Sequence, residues 1–292
     1  MKELIGTGVA LITPFTKQGI VDTASLTRIV NFQIDNGVNY LVVLGTTAES
    51  AVLSREEKQL VIDTIVSANA GRLPLVLGIG GNNTKAVVDE FVATDMTVFT
   101  AILSVSPMYN KPSQEGIYRH FAAIAAVSSK PIILYNVPGR TGRNMTAATS
   151  LRLAAHPNIA GIKEAGPDLS QTIDLLKDRP KDFLVVSGDD EIVMAQIACG
   201  MDGVISVAAN AFPKPFSDMI RYSMAGDFSM AKRLNDLMVE GYSYMYEENN
   251  PAGIKAYLYE QGVIENVLRL PLVPASEPLQ AKIHKYLQKF AD

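Results

Sequence analysis

The chain has 292 residues, of which 48% are hydrophobic and 19% charged, and its formal net charge is -4. This composition supports a large core and contains no basic run of the kind that nucleic-acid surfaces show. The single cysteine, Cys199, excludes an intrachain disulfide and favours a reducing compartment. The N-terminal residues lack the long apolar region of a signal peptide, and no apolar run approaches the length of a membrane span. These features predict a cytoplasmic protein that binds neither nucleic acid nor membranes.

Short apolar runs alternate with amphipathic segments along the first three quarters of the chain. Eight runs have the length and composition of buried strands, at 8–13, 40–45, 73–79, 99–105, 131–136, 159–164, 183–188 and 203–207. A helical pattern follows each of them, and some of these helices have a good capping residue, such as Ser54 or Ser113. Eight such units predict a parallel (β/α)8 TIM barrel over residues 1–225.

A doubly wound open sheet is the alternative fold. The glycine-rich segment GIGGNN at 78–83 does not match the G-x-G-x-x-G fingerprint of such sheets, which weakens that alternative. After about residue 225 the strand signal stops, and three helical patterns follow at 228–248, 251–262 and 276–291. We therefore expect a C-terminal helical domain over residues 226–292.

The active site of a β/α barrel lies at the C-terminal ends of the strands. Lys163 stands out in the run 159–164, because barrel strands carry mostly Val, Ile and Leu. A lysine inside an apolar barrel is desolvated, which favours the neutral amine, and a neutral amine can attack a carbonyl to form a Schiff base. The alternative is a solvated lysine at the mouth of the barrel that pairs with Glu164.

Schiff-base chemistry also needs groups that move protons. Tyr135 ends the fifth strand and Thr47 follows the second, so both hydroxyls are expected at the same end of the barrel. The alternatives are a core tyrosine and, for the segment GTTAES at 45–50, a helix N-terminus with capping residues. The aspartates of SGDDE at 187–191 would suit a metal, but without a histidine nearby they are expected to cap the next helix.

Six motifs occur in order along essentially the whole chain: GTTAES, SPMYNKPSQEG, LYNVPGRTG, GIKEAG, SGDD and GVISV. With them the sequence resembles the dihydrodipicolinate synthase family, of the pyruvate-dependent class I aldolase superfamily that includes N-acetylneuraminate lyase. The resemblance implies a lyase that condenses pyruvate with L-aspartate-4-semialdehyde to 4-hydroxy-tetrahydrodipicolinate, the first committed step of diaminopimelate and lysine biosynthesis. It also implies a covalent imine with pyruvate, no metal or organic cofactor, and a homotetramer made of two tight dimers.

The resemblance further implies roles for the catalytic residues. Lys163 forms the imine with pyruvate. Thr47, Tyr135 and Tyr109 form a proton relay, in which Tyr109 reaches into the active site of a neighbouring subunit. This relay requires at least a dimer.

Substrate-binding roles follow from the same resemblance. The backbone around Thr46 and Thr47 binds the carboxylate of pyruvate, and Gly188 and Ile205 line the pyruvate pocket through their main chain. Arg140 binds the carboxylate of aspartate semialdehyde, for which its planar guanidinium is well suited.

Two other functions are weighed against this one. N-acetylneuraminate lyases and keto-deoxy-sugar acid aldolases usually lack the second threonine of GTT and an arginine at the place of Arg140, and both are present here. A catalytically silent binding protein would not need the relay. The family's motif is GTTGE, and this chain has Ala48 in place of the glycine. An alanine is acceptable there if the backbone has a negative φ.

Inhibition by L-lysine is expected to be weak or absent. In inhibited members of the family, lysine binds at the tight-dimer interface among polar and acidic side chains, including a histidine, a glutamate and a tyrosine. The matching positions are Ser50, Ala51 and Asn82, which keep the pattern, and Arg55, Lys58, Ala86 and Met108, which do not. Two added cations and one lost anion disfavour a ligand with two ammonium groups. Titration of L-lysine into a coupled assay checks this, and strong cooperative inhibition would contradict it.

Overall fold

The computed structural model describes residues 1–291, and its eight strands form a closed parallel barrel in chain order. The strands are β1 (Gly6–Ala10), β2 (Tyr40–Val43), β3 (Leu75–Gly78), β4 (Ala101–Val105), β5 (Ile132–Asn136), β6 (Ile159–Glu164), β7 (Leu184–Ser187) and β8 (Gly203–Ser206). The predicted (β/α)8 TIM barrel is confirmed, and every predicted strand overlaps an observed one.

The first strand differs most from its predicted range, 8–13. Strand β1 ends at Ala10, and the chain continues as a loop in which Leu11 and Ile12 are fully buried. The N–H of Leu11 still donates to the Val42 carbonyl of β2 at 3.1 Å, whereas the N–H of Ile12 donates to the Asn210 side chain at 3.3 Å, so pairing stops just beyond β1 while the apolar run continues into the core.

Helices follow the strands as the amphipathic patterns predict. Within residues 1–291 the α-helices are α1 (Thr23–Asp35), α2 (Arg55–Asn69), α3 (Thr84–Ala93), α4 (Gln114–Val127), α5 (Pro138–Thr141), α6 (Ala147–Ala154), α7 (Leu169–Asp178), α8 (Val193–Ala198), α9 (Pro213–Met224), α10 (Phe228–Glu247), α11 (Ala252–Glu260) and α12 (Glu277–Ala291). Short 3-10 helices cover Lys2–Leu4, Thr46–Ala48, Ser50–Val52 and Ala208–Asn210. None of the described helices is long and apolar enough to cross a membrane.

Two predicted helix caps are confirmed. The Ser54 hydroxyl accepts a hydrogen bond from the backbone N–H of Glu57, and the Glu57 carboxylate accepts one from the backbone N–H of Ser54, which completes a capping box at the start of α2. The Ser113 hydroxyl accepts from the N–H of Gly116 at the start of α4. Local sequence therefore fixes where these helices begin.

The predicted cap at SGDDE is wrong. Helix α8 begins only at Val193, and its N-cap residue, Ile192, makes no side-chain capping bond. The Asp189 carboxylate instead accepts a hydrogen bond from the N–H of Glu191, 3.1 Å away. This bond closes a tight turn after β7. Helix α8 therefore begins after the aspartates and not directly at them.

The chain divides into two compact units. One comprises Met1–Ile5 and Pro74–Ile205, and the other comprises Gly6–Leu73 and the residues from Ser206 onward. In the first unit β3 to β7 pair side by side in parallel. In the second, α10 packs against α9, α11 and α12. The domain boundary after residue 225 stays a prediction.

Candidate active site

Lys163 and Tyr135 are register partners on adjacent strands. Strands β5 and β6 pair with Tyr135 beside Lys163. The Nζ atom of Lys163 lies 4.5 Å from the centre of the Tyr135 ring. Lys163 exposes 5% of its surface and Tyr135 exposes 8%. The structure thus brings these two predicted site residues together in a buried setting.

Glu164 is buried next to Lys163 in sequence, but it bonds to other groups. Its two carboxylate oxygens accept hydrogen bonds from the Asn136 side-chain amide at 2.9 and 3.0 Å, and one also accepts from the N–H of Gly166 at 2.6 Å. Burial raises the pKa of Glu164, and the bond from Asn136 opposes that rise. The alternative of a solvated Lys163 paired with Glu164 is therefore wrong.

The amide of Asn136 joins this carboxylate to the loop after β5. Its Oδ1 atom accepts from the backbone N–H of Met145 at 3.0 Å, and its Nδ2 atom also donates to Asn144 at 2.8 Å. Since side chains alternate between the two faces of a strand, Asn136 and Glu164 lie on the faces opposite to Tyr135 and Lys163. Sequence reasoning missed these bonds. The sequence does indicate them, because Asn136 and Glu164 are polar residues at the ends of two apolar strands.

Gly188 lies against the stem of Lys163. A Cβ atom at position 188 would stand 2.8 Å from Cε of Lys163 and 2.6 Å from Cβ of Ala165. The N–H of Gly188 donates to the Glu164 carbonyl at 2.7 Å, which holds the loop in this position. A side chain would not fit here without displacing its neighbours. Ile205, the other predicted pocket residue, is buried within β8.

Arg140 lies on the single-turn helix α5, directly after β5. Pro138 occupies the first turn of that helix, and Gly142 ends it with a φ of 73°, a conformation that glycine adopts without strain. The Arg140 side chain is exposed. The Pro-Gly-Arg-Thr-Gly segment therefore places a guanidinium group immediately after the strand that carries Tyr135.

The loop that carries Tyr109 is bonded to the loop that carries Arg140. The N–H of Tyr109 donates to the Thr141 carbonyl at 3.3 Å, and the Arg143 guanidinium donates to the Lys111 carbonyl at 3.3 Å. Tyr109 has a φ of 70°, which is uncommon for a bulky residue, and it exposes 88% of its surface. Its ring is thus not part of the core of its own chain.

Thr46 and Thr47 belong to the second compact unit, in the 3-10 helix after β2. Thr47 is buried, and its hydroxyl oxygen accepts a hydrogen bond from Nδ2 of Asn250 at 2.9 Å. Ala48 ends this short helix, and the left-handed φ of 54° falls on Glu49 instead. An alanine in place of the family's glycine therefore fits the backbone.

The alternative for the GTTAES segment, a capped N-terminus of the next helix, is wrong. Helix α2 begins only at Arg55, and Ser54 is its cap. Two 3-10 helices, joined at Glu49, separate β2 from that helix. The polar residues of this segment thus form a loop at the end of a barrel strand.

Glu49 and Lys255 form a buried ion pair that sequence reasoning missed. Both side chains are fully buried. The Lys255 ammonium also donates to the Val267 carbonyl at 3.0 Å, and it lies 4.2 Å from the centre of the Phe15 ring. Burial lowers the pKa of Lys255 to about 8, and the Glu49 carboxylate opposes that shift. The sequence does contain a signal for this buried lysine. Lys255 is the only charged residue in the apolar run 251–258.

The residues of the first unit suit carbonyl chemistry. In the first unit, a buried amine lies against a tyrosine ring, and an arginine follows on the next loop. A buried amine with a neighbouring hydroxyl is the arrangement that Schiff-base catalysis uses, and a guanidinium binds carboxylates. In the part of the chain described, no three His, Cys, Asp or Glu side chains are grouped so that they could hold a metal ion.

Comparison with known proteins gives one consistent result. Residues 3–290 match the dihydrodipicolinate synthetase family. A 4-hydroxy-tetrahydrodipicolinate synthase of Flavobacterium psychrophilum is 52% identical over 292 residues, which is the full length of both chains. The enzyme of the same name from Parabacteroides distasonis is 48% identical over 290 residues, which cover 99% of this chain and 98% of that one.

Solved structures agree with the sequence relatives. A chloride-inhibited dihydrodipicolinate synthase of Acinetobacter baumannii, solved in complex with pyruvate, has a TM-score of 0.95 and is 39% identical, with 99% of each chain covered. A monomeric dihydrodipicolinate synthase variant has a TM-score of 0.96 and is 35% identical, covering 99% of this chain and 97% of its own.

The contact between Gly188 and Lys163 predicts the effect of one added methyl group. Gly188→Ala is expected to push the stem of Lys163 or the loop aside, at a cost of about 1–3 kcal/mol, and to slow imine formation with pyruvate. Gly139→Ala is the matched control, because nothing lies within 4 Å of a Cβ atom there. Thermal unfolding and the rate of borohydride trapping are measured for both variants. Equal trapping rates in the two variants would contradict the expectation.

Proposed function

We propose that this chain, which belongs to the dihydrodipicolinate synthetase family, uses Lys163 to condense pyruvate with L-aspartate-4-semialdehyde. The product is 4-hydroxy-tetrahydrodipicolinate, and the chain is a lyase of diaminopimelate and lysine biosynthesis. The observation that carries the assignment of Lys163 is its burial against the Tyr135 ring, while the Glu164 carboxylate on the same strand is bonded by Asn136 and Gly166. No metal or organic cofactor takes part in the proposed reaction.

The proposed reaction begins with the amine of Lys163. Its nitrogen attacks the keto carbon of pyruvate, and the electrons of the C=O double bond move to the oxygen, which takes a proton from Tyr135. The nitrogen then gives up its two protons, one to restore Tyr135 and one to the oxygen, which leaves as water as the C=N bond of the imine forms. The imine withdraws electrons, so that the methyl carbon of pyruvate loses a proton to the relay and attacks the aldehyde carbon of the second substrate, whose oxygen takes that proton. The amino group of the second substrate then replaces Lys163 at the imine carbon, which closes the ring and frees the lysine.

The proton movements need a relay, for which we propose Tyr135, Thr47 and Tyr109. Each carries a hydroxyl that can donate and accept a hydrogen bond. The roles of Thr47 and Tyr109 rest on the family resemblance, and so does binding of the pyruvate carboxylate by the backbone at Thr46 and Thr47. The pocket roles of Gly188 and Ile205 have the same basis, supported by the contact between Gly188 and Lys163.

We assign Arg140 to the carboxylate of aspartate semialdehyde. The arginine lies on an exposed single-turn helix that follows β5 directly, and its guanidinium suits bidentate binding of a carboxylate. Its position one turn beyond Tyr135 supports contact with the substrate that arrives second.

A homotetramer of two tight dimers is the proposed assembly, and the cytoplasm is the proposed location. The exposed ring and strained backbone of Tyr109 support a role in a neighbouring subunit, since its own chain does not use the ring in its core. One solved relative is a monomeric variant, and sedimentation velocity distinguishes that state from the tetramer proposed for this chain.

Trapping with borohydride tests the proposed imine. Pyruvate plus borohydride is expected to inactivate the protein and to label Lys163, because reduction converts the imine to a stable secondary amine. Peptide mapping locates the label, and the other buried lysine, Lys255, serves as an internal control that stays unlabelled. A label on another lysine would disprove the assignment, as would full activity after treatment.

The role of Arg140 predicts a loss that is specific to one substrate. Arg140→Ala removes a charge-assisted hydrogen bond worth about 1.5–3 kcal/mol, so kcat/KM for the semialdehyde is expected to fall by roughly 10- to 150-fold. Imine formation with pyruvate alone is expected to change little. Arg119→Ala, which removes an exposed arginine on α4, is the control. Unchanged kinetics with the semialdehyde would remove Arg140 from this role.

A further inference from the structure

The segment from Asn136 to Met145 is a closed loop that carries Arg140. Nδ2 of Asn136 donates a hydrogen bond to Oδ1 of Asn144 at 2.8 Å, and the backbone N–H of Met145 donates to Oδ1 of Asn136 at 3.0 Å. Asn136 and Met145 are both fully buried. The two ends of the loop are therefore joined to each other, and Arg140 lies near its middle. Compact loops with joined ends often carry functional groups.

The middle of the loop is internally bonded. The N–H of Thr141 donates to the Val137 carbonyl at 3.0 Å, and the Thr141 hydroxyl donates to the Arg143 carbonyl at 2.9 Å. The Thr141 side chain is itself buried. Because residues 137–143 are bonded among themselves, they keep their own shape. What remains to be fixed is the placement of this piece relative to β5.

Asn144 fixes the far end of this piece through its side chain. Its Oδ1 atom accepts from Asn136, and its Nδ2 atom donates to Oε1 of Gln171, on α7, at 2.7 Å. Nε2 of Gln171 in turn donates to the Met145 carbonyl at 3.2 Å. Both ends of the Asn144 amide are thus used, one toward β5 and the other toward α7.

A second glutamine holds the backbone of Asn144 from another helix. Nε2 of Gln114, the first residue of α4, donates to the Asn144 carbonyl at 2.8 Å. Oε1 of Gln114 accepts from the Thr149 hydroxyl at 2.7 Å and from the N–H of Thr146 at 3.1 Å. Gln114 therefore spans the start of α6 and holds the Asn144 carbonyl in one direction. All of these residues belong to the same compact unit.

The placement of the loop matters because a guanidinium binds a carboxylate best in one orientation, with two parallel N–H donors facing the two oxygens. Arg140 is exposed, and the backbone that carries it sets where its guanidinium can reach. A small displacement of a binding group costs much of its effect. Without the bonds of Asn144, residues 137–143 keep their connection to β5 and their contacts with the loop of Tyr109, but their far end is free to move.

We propose that Asn144 is a positioning residue for the second substrate. Its side chain holds the loop after β5 so that the Arg140 guanidinium faces the carboxylate of aspartate semialdehyde. The inference rests on the proposed function, because it takes Arg140 as the group that binds this carboxylate. Lys163 and Tyr135 are placed by the pairing of their strands and not by Asn144. Loss of the Asn144 amide is therefore expected to weaken use of the semialdehyde and to leave imine formation with pyruvate unchanged.

A double-mutant cycle between positions 144 and 140 tests this inference. Asn144→Ala is expected to lower kcat/KM for the semialdehyde by about 5- to 10-fold, the size of one hydrogen bond. In an Arg140→Ala background the same change is expected to cost less than about twofold, because the group that it positions is already gone. Equal losses in both backgrounds would overturn the inference.

The rate of borohydride trapping at saturating pyruvate is the second measurement. It is expected to be the same in Asn144→Ala as in the unchanged protein, since the amine of Lys163 and the hydroxyl of Tyr135 are carried by strands. A merely structural role would slow both reactions. A trapping rate that falls as far as kcat/KM for the semialdehyde would therefore overturn the inference.

Gln171→Leu probes the same bonds from α7. Leucine is similar in size to glutamine, but it leaves the Asn144 amide without its acceptor and the Met145 carbonyl without one of its donors. The same selective loss is expected, and again only while Arg140 is present. If Asn144→Ala does not fold, this variant carries the test, and a kcat/KM equal to that of the unchanged protein would overturn the inference.

Asn158→Ala is the matched control. Like Asn144 it is half-buried, and its Nδ2 atom donates to the carbonyls of Ala125 at 2.9 Å and Ser128 at 3.3 Å. It lies directly before β6, at the opposite end of that strand from Lys163. It is expected to lower the unfolding temperature without changing kcat/KM of the folded protein. A loss as large as that of Asn144→Ala would overturn the inference.

The two levels of the argument fail separately. Unchanged semialdehyde kinetics in Arg140→Ala itself would overturn the proposed role of Arg140 and this inference together. The expected loss in Arg140→Ala, without coupling between positions 140 and 144, would overturn the inference alone.

Discussion

The pairing of β5 with β6 is the constraint on which the first group of site residues depends. Because the side chains of a strand alternate between its faces, the register that places Tyr135 beside Lys163 also places Asn136 beside Glu164 on the other face. A slip of one residue would exchange the two faces of a strand. The bonds between Asn136 and Glu164 therefore hold the reactive pair in register from the opposite face, and the bond from Met145 to Asn136 holds the far end of the segment that carries Arg140.

The two buried lysines show how surroundings separate chemistry from structure. Lys255 has a carboxylate, a carbonyl oxygen and an aromatic ring around its ammonium group, so its charge is used in a permanent contact. Lys163 has a tyrosine ring beside it, while the adjacent carboxylate of Glu164 is engaged by Asn136 and Gly166. An amine that is not committed to an ion pair is the one that suits attack on a carbonyl.

The sequence predicted the elements that local pattern controls. The eight strands, the helices and the caps at Ser54 and Ser113 follow from periodicity and capping chemistry, which act over a few residues. The error at SGDDE is also local, since Asp189 bonds within a turn and not at the N-cap of α8. The contact of Asn250 with Thr47 joins residues 203 positions apart, and no local pattern reports such a pairing.

The C-terminal helices are therefore more than an appendage to the barrel. A segment that only covers a surface would contact it through apolar side chains. Here residues 250–269 supply an amide to a buried hydroxyl, an ammonium to a buried carboxylate and a guanidinium to two loop carbonyls, all directed at residues 19–57. Directional contacts of this kind specify one geometry and not merely burial. Residues 250–269, which include α11, thus help to determine the shape of the loop after β2, and with it the surroundings of Thr47.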